Sequence, residues 1–564
     1  MDSKGHEERE RFFSAAKLTA VLTLASRVLG MVREMAITSL GANRLTDAFN
    51  MAFKVPNLFR RLFGEGALSA AFVPVFTETT EAAGFEAARR LLANAMGWLA
   101  VFLVSVMVVS EVGLVAWNWA FPGAWDRVLL LQLVGVMLPF MVTVCLLALG
   151  SAALNCRGHF AYPALAPILL NIFNIIAAWF LAPWLCGALS RNDPGQLFLI
   201  AGSVTVAGAV QLVGVLWVLR RHGFTGRPVL RPVEPGIKQI LITVAPMILG
   251  LGFLQISELL NDVIAWVLSG MGTETVHVLG LELTRPLDPG VIARVNAAQR
   301  LYQFPMGVLA MSLAGAVFPL LSRYAARHDL PSLRETLNRA LRLAAMEGLA
   351  AGAALFALAE PLTRFLYIDL VRLLGRHGRF TLADAEASAF VLQMYAIGLV
   401  AYCTQTIFLR AFYARKDTLT PLKISCALVL LGPILVATLV WIPGLRAGAF
   451  GIAMTVTATA NVIALAVVLR RSLGRFGGRQ IAKSIARSAL ASAAMAAVIY
   501  LLRWQLTGCV NWLVVLTAVM GGAGTFLAVA AALRCPELNE LLGRRRPQAA
   551  DSTDYNEPGE SSPS

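Results

Sequence analysis

The sequence predicts an all-α polytopic membrane protein with about fourteen transmembrane helices. Of its 564 residues, 57% are hydrophobic and only 14% are charged, whereas soluble chains carry roughly 25% charged residues. The mean hydropathy is +0.68. These values exclude a large soluble enzyme, a disordered chain and a small disulfide-rich scaffold. An internal repeat and the placement of the basic residues refine this prediction.

A bilayer-spanning helix needs about 20 mainly apolar residues. The first, second and eighth stretches of this kind contain charges, and so have the weakest apolar character. The chain before them, residues 1–13, is charged, lacks a signal-peptide core and is predicted to be a cytoplasmic N-terminal segment. The fourteen predicted spans are 14–40, 46–76, 89–117, 127–154, 162–186, 196–219, 238–269, 292–322, 337–359, 386–414, 418–442, 446–469, 484–504 and 508–533.

A repeat divides the spans into two similar sets. The residues Leu219, Arg220 and Arg221 recur as Leu-Arg-Arg at 469–471, an offset of 250. Because six spans is an even number, both copies are predicted to have the same orientation, and duplicated bundles are a common transporter plan. The predicted domains are six-helix bundles at 14–221 and 238–471, a cytoplasmic linker at 222–237, two extra helices at 484–533 and a disordered cytoplasmic tail at 545–564.

The net charge of +15, from 48 Lys and Arg against 33 Asp and Glu, is explained by topology. With a cytoplasmic N-terminus, and with basic residues within five positions of a span end counted in the adjoining segment, 31 basic residues fall in inside segments and 11 in outside segments. This asymmetry follows the positive-inside rule and predicts that both termini are cytoplasmic. It therefore gives no reason to expect a nucleic-acid partner.

The seven cysteines are scattered and mostly lie in apolar stretches, so we predict no disulfide framework and no metal site. The chain also lacks a phosphate-binding G-x-x-x-x-G-K-[ST] loop. We therefore expect no cofactor and no direct ATP hydrolysis.

Six basic residues lie within the predicted spans, more than five positions from either end of their span. Six such charges facing lipid would cost roughly 15–20 kcal/mol, so they must pair with acids, extend to an interface or face a watery cavity. Only three acids, Glu34, Asp47 and Glu65, are near them in sequence, which leaves a surplus of positive charge. A cavity of this kind suits a phosphate, to which Arg donates bidentate hydrogen bonds. The six residues are Arg27, Arg33, Lys54, Arg60, Arg61 and Arg300.

Helical spacing predicts which of these charges share a face. Arg27 and Glu34 are seven residues apart, which predicts a partial pairing. Asp47, Lys54 and Arg61 also recur every seven residues and form one stripe if the helix is continuous.

Span seven contains Glu258 and Asp262, two acids at positions i and i+4. They are candidates for a cation or proton site, and the alternative is that they pair with an arginine elsewhere. In span five, Asn171 and Asn174 are predicted to be interhelical hydrogen-bond partners.

Several motifs resemble the MurJ/MviN family of lipid II flippases, and the resemblance covers nearly the whole chain. They are SRVLG at 26–30, RE at 33–34, TDAF at 46–49, FKVPNLFRR at 53–61, FGEGA at 63–67, SAAFVP at 69–74, RL and FPMGV at 300–308, and FYARKD with TP at 412–421.

The resemblance implies a fold of the MOP transporter superfamily with a central cationic cavity and a lipid-tail groove formed by 484–533. It implies transport of lipid II, an undecaprenyl-diphosphate-linked disaccharide-pentapeptide, to the outer leaflet of the bacterial inner membrane for peptidoglycan synthesis. Membrane lipids and cell-wall synthesis proteins are the other implied partners. The family's substrate-binding residues fall on Arg27, Arg33, Arg60 and Arg300, with Lys54 and Asp47 beside them and Arg61, Glu34, Glu65 and Asn57 as secondary candidates.

Transport by alternating access would be driven by Na⁺, H⁺ or the membrane potential. The chain departs from the family pattern in having Gln299 and Gln303 where many members have acids beside the arginine of span eight. The segment 271–291, between spans seven and eight, is longer than is usual in the family. The outer loop at 364–379 is unusually rich in arginine.

Three other functions compete with this one. A flippase for another polyprenyl-diphosphate-linked oligosaccharide fits the same charges, whereas an exporter of cationic drugs should present acids. A membrane-embedded polyprenyl-phosphate enzyme should carry a catalytic histidine motif, and Ser322, Arg323 and His328 have the wrong spacing for it. A purely structural scaffold leaves the charges within the spans unexplained.

Overall fold

A computed structural model describes residues 2–64, 67–187, 189, 193–224, 235–270, 274–278 and 281–541. The predicted disordered tail at 545–564, Glu65 and most of the predicted linker at 222–237 lie outside the described residues.

The first group of helices packs around α4, which contacts α2, α3 and α7, while α1 packs on α5. Asn43 caps α2 through a reciprocal pair of hydrogen bonds with Thr46. A π-helical turn at Arg60–Gly64 follows α2 and begins four residues after Pro56, which lacks a backbone donor. Gly84, with φ of 79°, breaks α3. The helices are α1 Asp2–Thr38, α2 Arg44–Phe59, α3 Ala67–Ala120, α4 Trp125–Cys156, α5 Ala161–Ile176, α6 Ala182–Cys186 and α7 Gly195–Arg221.

The second group packs around α11, α13 and α14, with α17 against α13 and α14. A π-helical turn at Met306–Ala310 joins α9 to α10, and another at Phe365–Asp369 joins α11 to α12. The helices are α8 Pro235–Leu268, α9 Val291–Pro305, α10 Met311–Ala326, α11 Leu330–Arg364, α12 Leu370–Leu373, α13 Leu382–Ile397, α14 Leu399–Ala414, α15 Leu419–Leu428, α16 Leu431–Leu439 and α17 Ala449–Leu473.

The third group consists of α18 Gly478–Gln505, α19 Asn511–Ala532 and the short α20 Pro536–Leu541. The helices α18 and α19 pack on each other and on α11. Buried Ser484 and Ser488 lie one turn apart on α18, and small side chains of this kind let helices approach closely.

Each predicted span overlaps one or more helices among the described residues, although α3 contains both the end of the second span and the whole of the third. The protein is a polytopic membrane protein. Within the described ranges, ten helices are long and apolar enough to cross a bilayer. The number rises to eleven if α13 and α14, bent by 44° at Gly398, form one span. The charged α1 and α2 are not among the ten. The total of fourteen spans and the repeated layout therefore stay predictions.

A small β-hairpin departs from the predicted all-α class. Strands β1 Thr275–Val278 and β2 Leu281–Thr284 pair antiparallel, with Thr275 opposite Thr284. The hairpin lies in the 271–291 segment between the seventh and eighth predicted spans, and the fold is accordingly nearly rather than entirely helical.

Candidate substrate cavity

The first and second groups meet tightly at the end of the molecule where α1 turns into α2. Asp47 is fully buried there, and its carboxylate accepts hydrogen bonds from the backbone N–H of Gly290 at 2.7 Å and of Ala293 at 2.9 Å. These donors belong to the first turn of α9, which leaves four N–H groups without helical partners. Asp47 thus joins α2 to α9.

Arg44 adds a second junction at the same end. Its guanidinium contacts the Asp126 carboxylate of α4 at 2.7 Å and lies 3.6 Å from the centre of the Trp266 ring of α8. It also donates to the carbonyl of Trp266 at 2.9 Å and to the hydroxyl of Ser269. One arginine therefore binds both groups.

The arginine-rich loop after α12 forms a third junction. The Arg379 N–H donates to the Ser39 carbonyl at 2.8 Å, and its guanidinium donates to the Leu189 carbonyl at 2.5 Å. Arg376 lies 4.0 Å from the centre of the Phe180 ring. We call these three junctions, made by Asp47, Arg44 and Arg376 with Arg379, the seal.

A small cavity of about 140 Å³ lies between α1, α2, α8, α9 and α13. The Lys54 ammonium contacts Asp262 at 2.5 Å, and the Arg61 guanidinium contacts Glu258 at 2.5 Å. Both pairs join α2 or the π-helical turn after it to α8. Glu258 and Asp262 are therefore both paired with basic residues, Glu258 with Arg61 and Asp262 with Lys54.

Arg33, Glu34 and Arg300 form the wall of this cavity on α1 and α9. Glu34 Oε2 lies 3.1 Å from Arg300 Nε and 3.8 Å from Arg33 Nη2. Arg33 is buried and lies over the Phe53 ring at 5.6 Å, while its Nε has no hydrogen-bond partner among the described residues. The buried guanidinium of Arg33 and the 43% exposed guanidinium of Arg300 thus share one carboxylate.

A larger cavity of about 680 Å³ lies farther from the seal. It is bounded by the last turns of α4 and the first turns of α5, the ends of those helices opposite to the seal. Among its described lining residues are five arginines and no Asp or Glu. The arginines are Arg27, Arg33, Arg60, Arg61 and Arg300.

The two cavities meet at residues that line both. Asn57 lines both and accepts a hydrogen bond from Arg60 Nε at 2.7 Å through its side-chain oxygen. Gln303 also lines both, and Gln299 donates to the Tyr395 hydroxyl at 3.0 Å in the smaller cavity. The glutamine side chains carry no charge and therefore do not neutralise Arg300, which pairs with Glu34 instead.

One expectation from spacing is wrong. Arg27 does not pair with Glu34, because Glu34 turns to Arg300 of α9, and Arg27 has no ion pair among the described residues. Asp47 lines neither cavity, because its carboxylate accepts hydrogen bonds from the backbone at the start of α9. The stripe of Asp47, Lys54 and Arg61 does lie on one face, since all three contact the second group.

Other polar residues were not found from sequence. Arg44, Arg294 and Asp384 gave no signal, because a charged residue next to a predicted span end is ordinary; Arg294 and Asp384 pair at 2.9 Å near the seal. Asn171 donates to the Ser26 carbonyl of α1 at 3.1 Å, as predicted, whereas Asn174 bonds within its own helix. No group of three or more His, Cys, Asp or Glu that could hold a metal occurs in the described part of the chain.

The helix arrangement and the arginine-lined cavity define the class: a multi-pass membrane transporter with a cationic central cavity. The family model described as lipid II flippase MurJ matches residues 36–520. The chain therefore belongs to the lipid II flippase MurJ family, whose members are transporters and not enzymes.

Relatives agree with this assignment over most of the chain. The lipid II flippase MurJ of Burkholderia cenocepacia is 30% identical over 478 residues, covering 81% of this chain and 84% of that protein. The probable lipid II flippase MurJ of Vibrio cholerae serotype O1 is 28% identical over 543 residues, covering 92% and 96%.

Solved structures show the same fold. A lipid II flippase MurJ in an inward closed conformation has a TM-score of 0.70 at 22% identity and covers 93% of this chain and 99% of that one. An inward-facing multidrug resistance MATE transporter of the MOP superfamily has a TM-score of 0.63 at 14% identity and covers 82% and 99%.

Proposed function

We propose that this chain moves lipid II across the membrane by alternating access, with the diphosphate held in the larger cavity. The observation that carries this proposal is that five arginines and no carboxylate of the described residues line that cavity. Planar guanidinium groups bind phosphate oxygens bidentately and remain charged when buried. A cavity for cationic drugs would need the opposite charge. The residues assigned to the diphosphate are Arg27, Arg33, Arg60 and Arg300.

The proposed orientation places both termini in the cytoplasm of a bacterium and the protein in its inner membrane. The excess of basic residues in the predicted inside segments supports it. The seal then faces outward, and the larger cavity faces the cytoplasmic leaflet in which the lipid is loaded. The two bundles at 14–221 and 238–471 would rock to expose the headgroup outward.

Opening the seal requires the polar junctions between the groups to separate. They consist of a few hydrogen bonds and ion pairs, so binding energy from the headgroup is able to offset their loss. Separation would also free Glu258 and Asp262 from Arg61 and Lys54. The two acids would then be available to a coupling Na⁺ or H⁺, and the membrane potential would act on the cationic cavity.

The lipid tail is proposed to stay outside the cavity, along α18 and α19. The surface of these helices supports this, since Trp512 and Met520 are exposed and an undecaprenyl chain is apolar. Association with cell-wall synthesis proteins would couple delivery to consumption of the lipid. A flippase for another polyprenyl-diphosphate-linked oligosaccharide would use the same arginines. Comparing the transport of lipid II with that of such a lipid distinguishes the two functions.

The test is transport of labelled lipid II in proteoliposomes. The variant Arg27→Ala with Arg300→Ala removes two charges from the larger cavity, and we expect its rate to fall at least tenfold. Arg475→Ala removes an exposed charge in the loop after α17 and serves as the control, with an unchanged rate. A wild-type rate in the double variant would overturn the assignment of the cavity.

A second experiment compares transport of two lipid substrates. A polyprenyl diphosphate carrying an unrelated neutral oligosaccharide should be transported more slowly than lipid II. Faster transport of that lipid would favour the rival flippase.

A further inference from the structure

Besides its arginines, the larger cavity is lined by uncharged side chains of α4, α5 and α7. Three of them are carboxamides, one from each helix: Asn155 at the end of α4, Asn171 on α5 and Gln211 on α7. We call these three residues the carboxamide face. A side-chain amide offers two donors and two acceptor lone pairs, a pattern that suits neutral polar groups rather than phosphate.

Gln211 carries the clearest sign of an absent partner. Its side chain is 2% exposed, and its Nε2 donates to the Ala166 carbonyl of α5. The oxygen Oε1 is buried and has no hydrogen-bond partner among the described residues. Because a carbonyl accepts only from a donor, the bond to Ala166 fixes the amide orientation and leaves Oε1 as the orphan. A buried acceptor without a partner costs free energy unless a ligand or water satisfies it.

Asn171 connects the carboxamide face to the arginines. Its Nδ2 donates to the carbonyl of Ser26, the residue before Arg27. Gly30 lies against the same amide, where a Cβ would stand 3.7 Å from Nδ2. Asn171 therefore touches the turn of α1 that carries Arg27, and a ligand whose anionic group binds Arg27 brings its next group to the amide.

We propose that the carboxamide face is a sugar subsite, which binds the hydroxyl and acetamido groups of the saccharide attached to the diphosphate. This inference rests on the proposed function and extends it to the neutral part of the headgroup. The saccharide is the part that fits, because it is joined directly to the diphosphate and is uncharged. Each amide can both donate to and accept from a sugar, and the cavity volume of about 680 Å³ is within the range of ligand sites.

The test compares binding of two lipids to the purified full-length protein in nanodiscs. Lipid II carries the saccharide, and undecaprenyl diphosphate carries the same lipid and diphosphate without it. Gln211→Met keeps an unbranched side chain of similar length but removes the amide. Asn155→Ala removes an exposed amide that makes no side-chain hydrogen bond among the described residues, and we expect it to preserve folding.

We expect each variant to weaken lipid II binding about three- to tenfold, the effect of one lost hydrogen bond, and to leave undecaprenyl diphosphate binding unchanged. Unchanged lipid II binding in both variants would overturn the sugar subsite, and so would an equal loss for both lipids. Arg27→Ala should weaken both lipids. If it weakens neither, the proposed diphosphate site fails, whatever the result for the carboxamide face.

Discussion

Lys54 of α2 and Asp262 of α8 form an ion pair of 2.5 Å across the junction between the first and second groups. The Asp262 side chain is 9% exposed and that of Lys54 is 26% exposed, so water screens this pair less than a surface pair. The neighbouring pair of Arg61 and Glu258 makes the same connection one to two helical turns away, but Glu258 is 58% exposed. The two pairs differ in burial, and their contributions to stability should differ accordingly.

Asp262→Asn should destabilise the protein by about 3 kcal/mol, because it leaves the Lys54 ammonium without a counter-charge in a partly buried site. Glu258→Gln should cost less than about 1 kcal/mol, since exposed pairs contribute little. Unfolding of the purified protein in mixed micelles with increasing SDS measures both. Equal losses for the two variants would contradict the assigned difference in burial.

Asp47→Asn should loosen the seal by roughly 1–3 kcal/mol, because an amide nitrogen then faces one of the two backbone N–H groups of α9. The measurement is thiol labelling of Ala42→Cys in a Cys509→Ser background, since Cys509 is exposed. Labelling should accelerate at least fivefold. Asn43→Ser, which keeps a capping oxygen for α2, should leave it unchanged, and slow labelling in both variants would count against the role of Asp47.

Arg379→Ala should free the loop after α12, because the guanidinium no longer donates to the Leu189 carbonyl. Chymotrypsin cleavage after Phe380, which is buried, should become several times faster. Arg372→Ala, at the end of α12 next to this loop, is the control, since Arg372 is exposed and makes no side-chain hydrogen bond or ion pair among the described residues. Equal cleavage of both variants would show that charge alone, and not this bond, holds the loop.

Glu537→Gln should detach α20 from the helices beneath it. The Glu537 carboxylate is fully buried, lies 3.3 Å from Arg342 of α11 and accepts from the Ser484 hydroxyl of α18 at 2.8 Å. Loss of the charge leaves a largely buried guanidinium unpaired, at a cost of about 3 kcal/mol. Amide hydrogen exchange in α20 and the first turns of α18 should rise. Glu335→Gln, on the exposed face of α11, should not change the exchange.

Sequence and structure contribute differently to the charged residues of the cavity. The cost of burying charge predicts that Arg27, Arg33, Arg60, Arg61 and Arg300 pair with acids, extend to an interface or face a cavity, and all five line the larger cavity. The same energetic argument does not predict which acid each of these arginines pairs with. Seven-residue spacing places two side chains on one helix face, but it does not decide whether a partner on another helix lies closer.

The sequence by itself determined the membrane class, the positions of the helices and the surplus of positive charge, because these depend on local composition and on the energy of charge in a bilayer. The tertiary structure alone decided that Glu34 turns to Arg300, 266 positions away, and that Asp47 caps α9 instead of lining a cavity. It also brought the carboxamide face into the cavity that the arginines line. These relationships depend on the rotation and register of packed helices, which result from contacts between segments far apart in the chain.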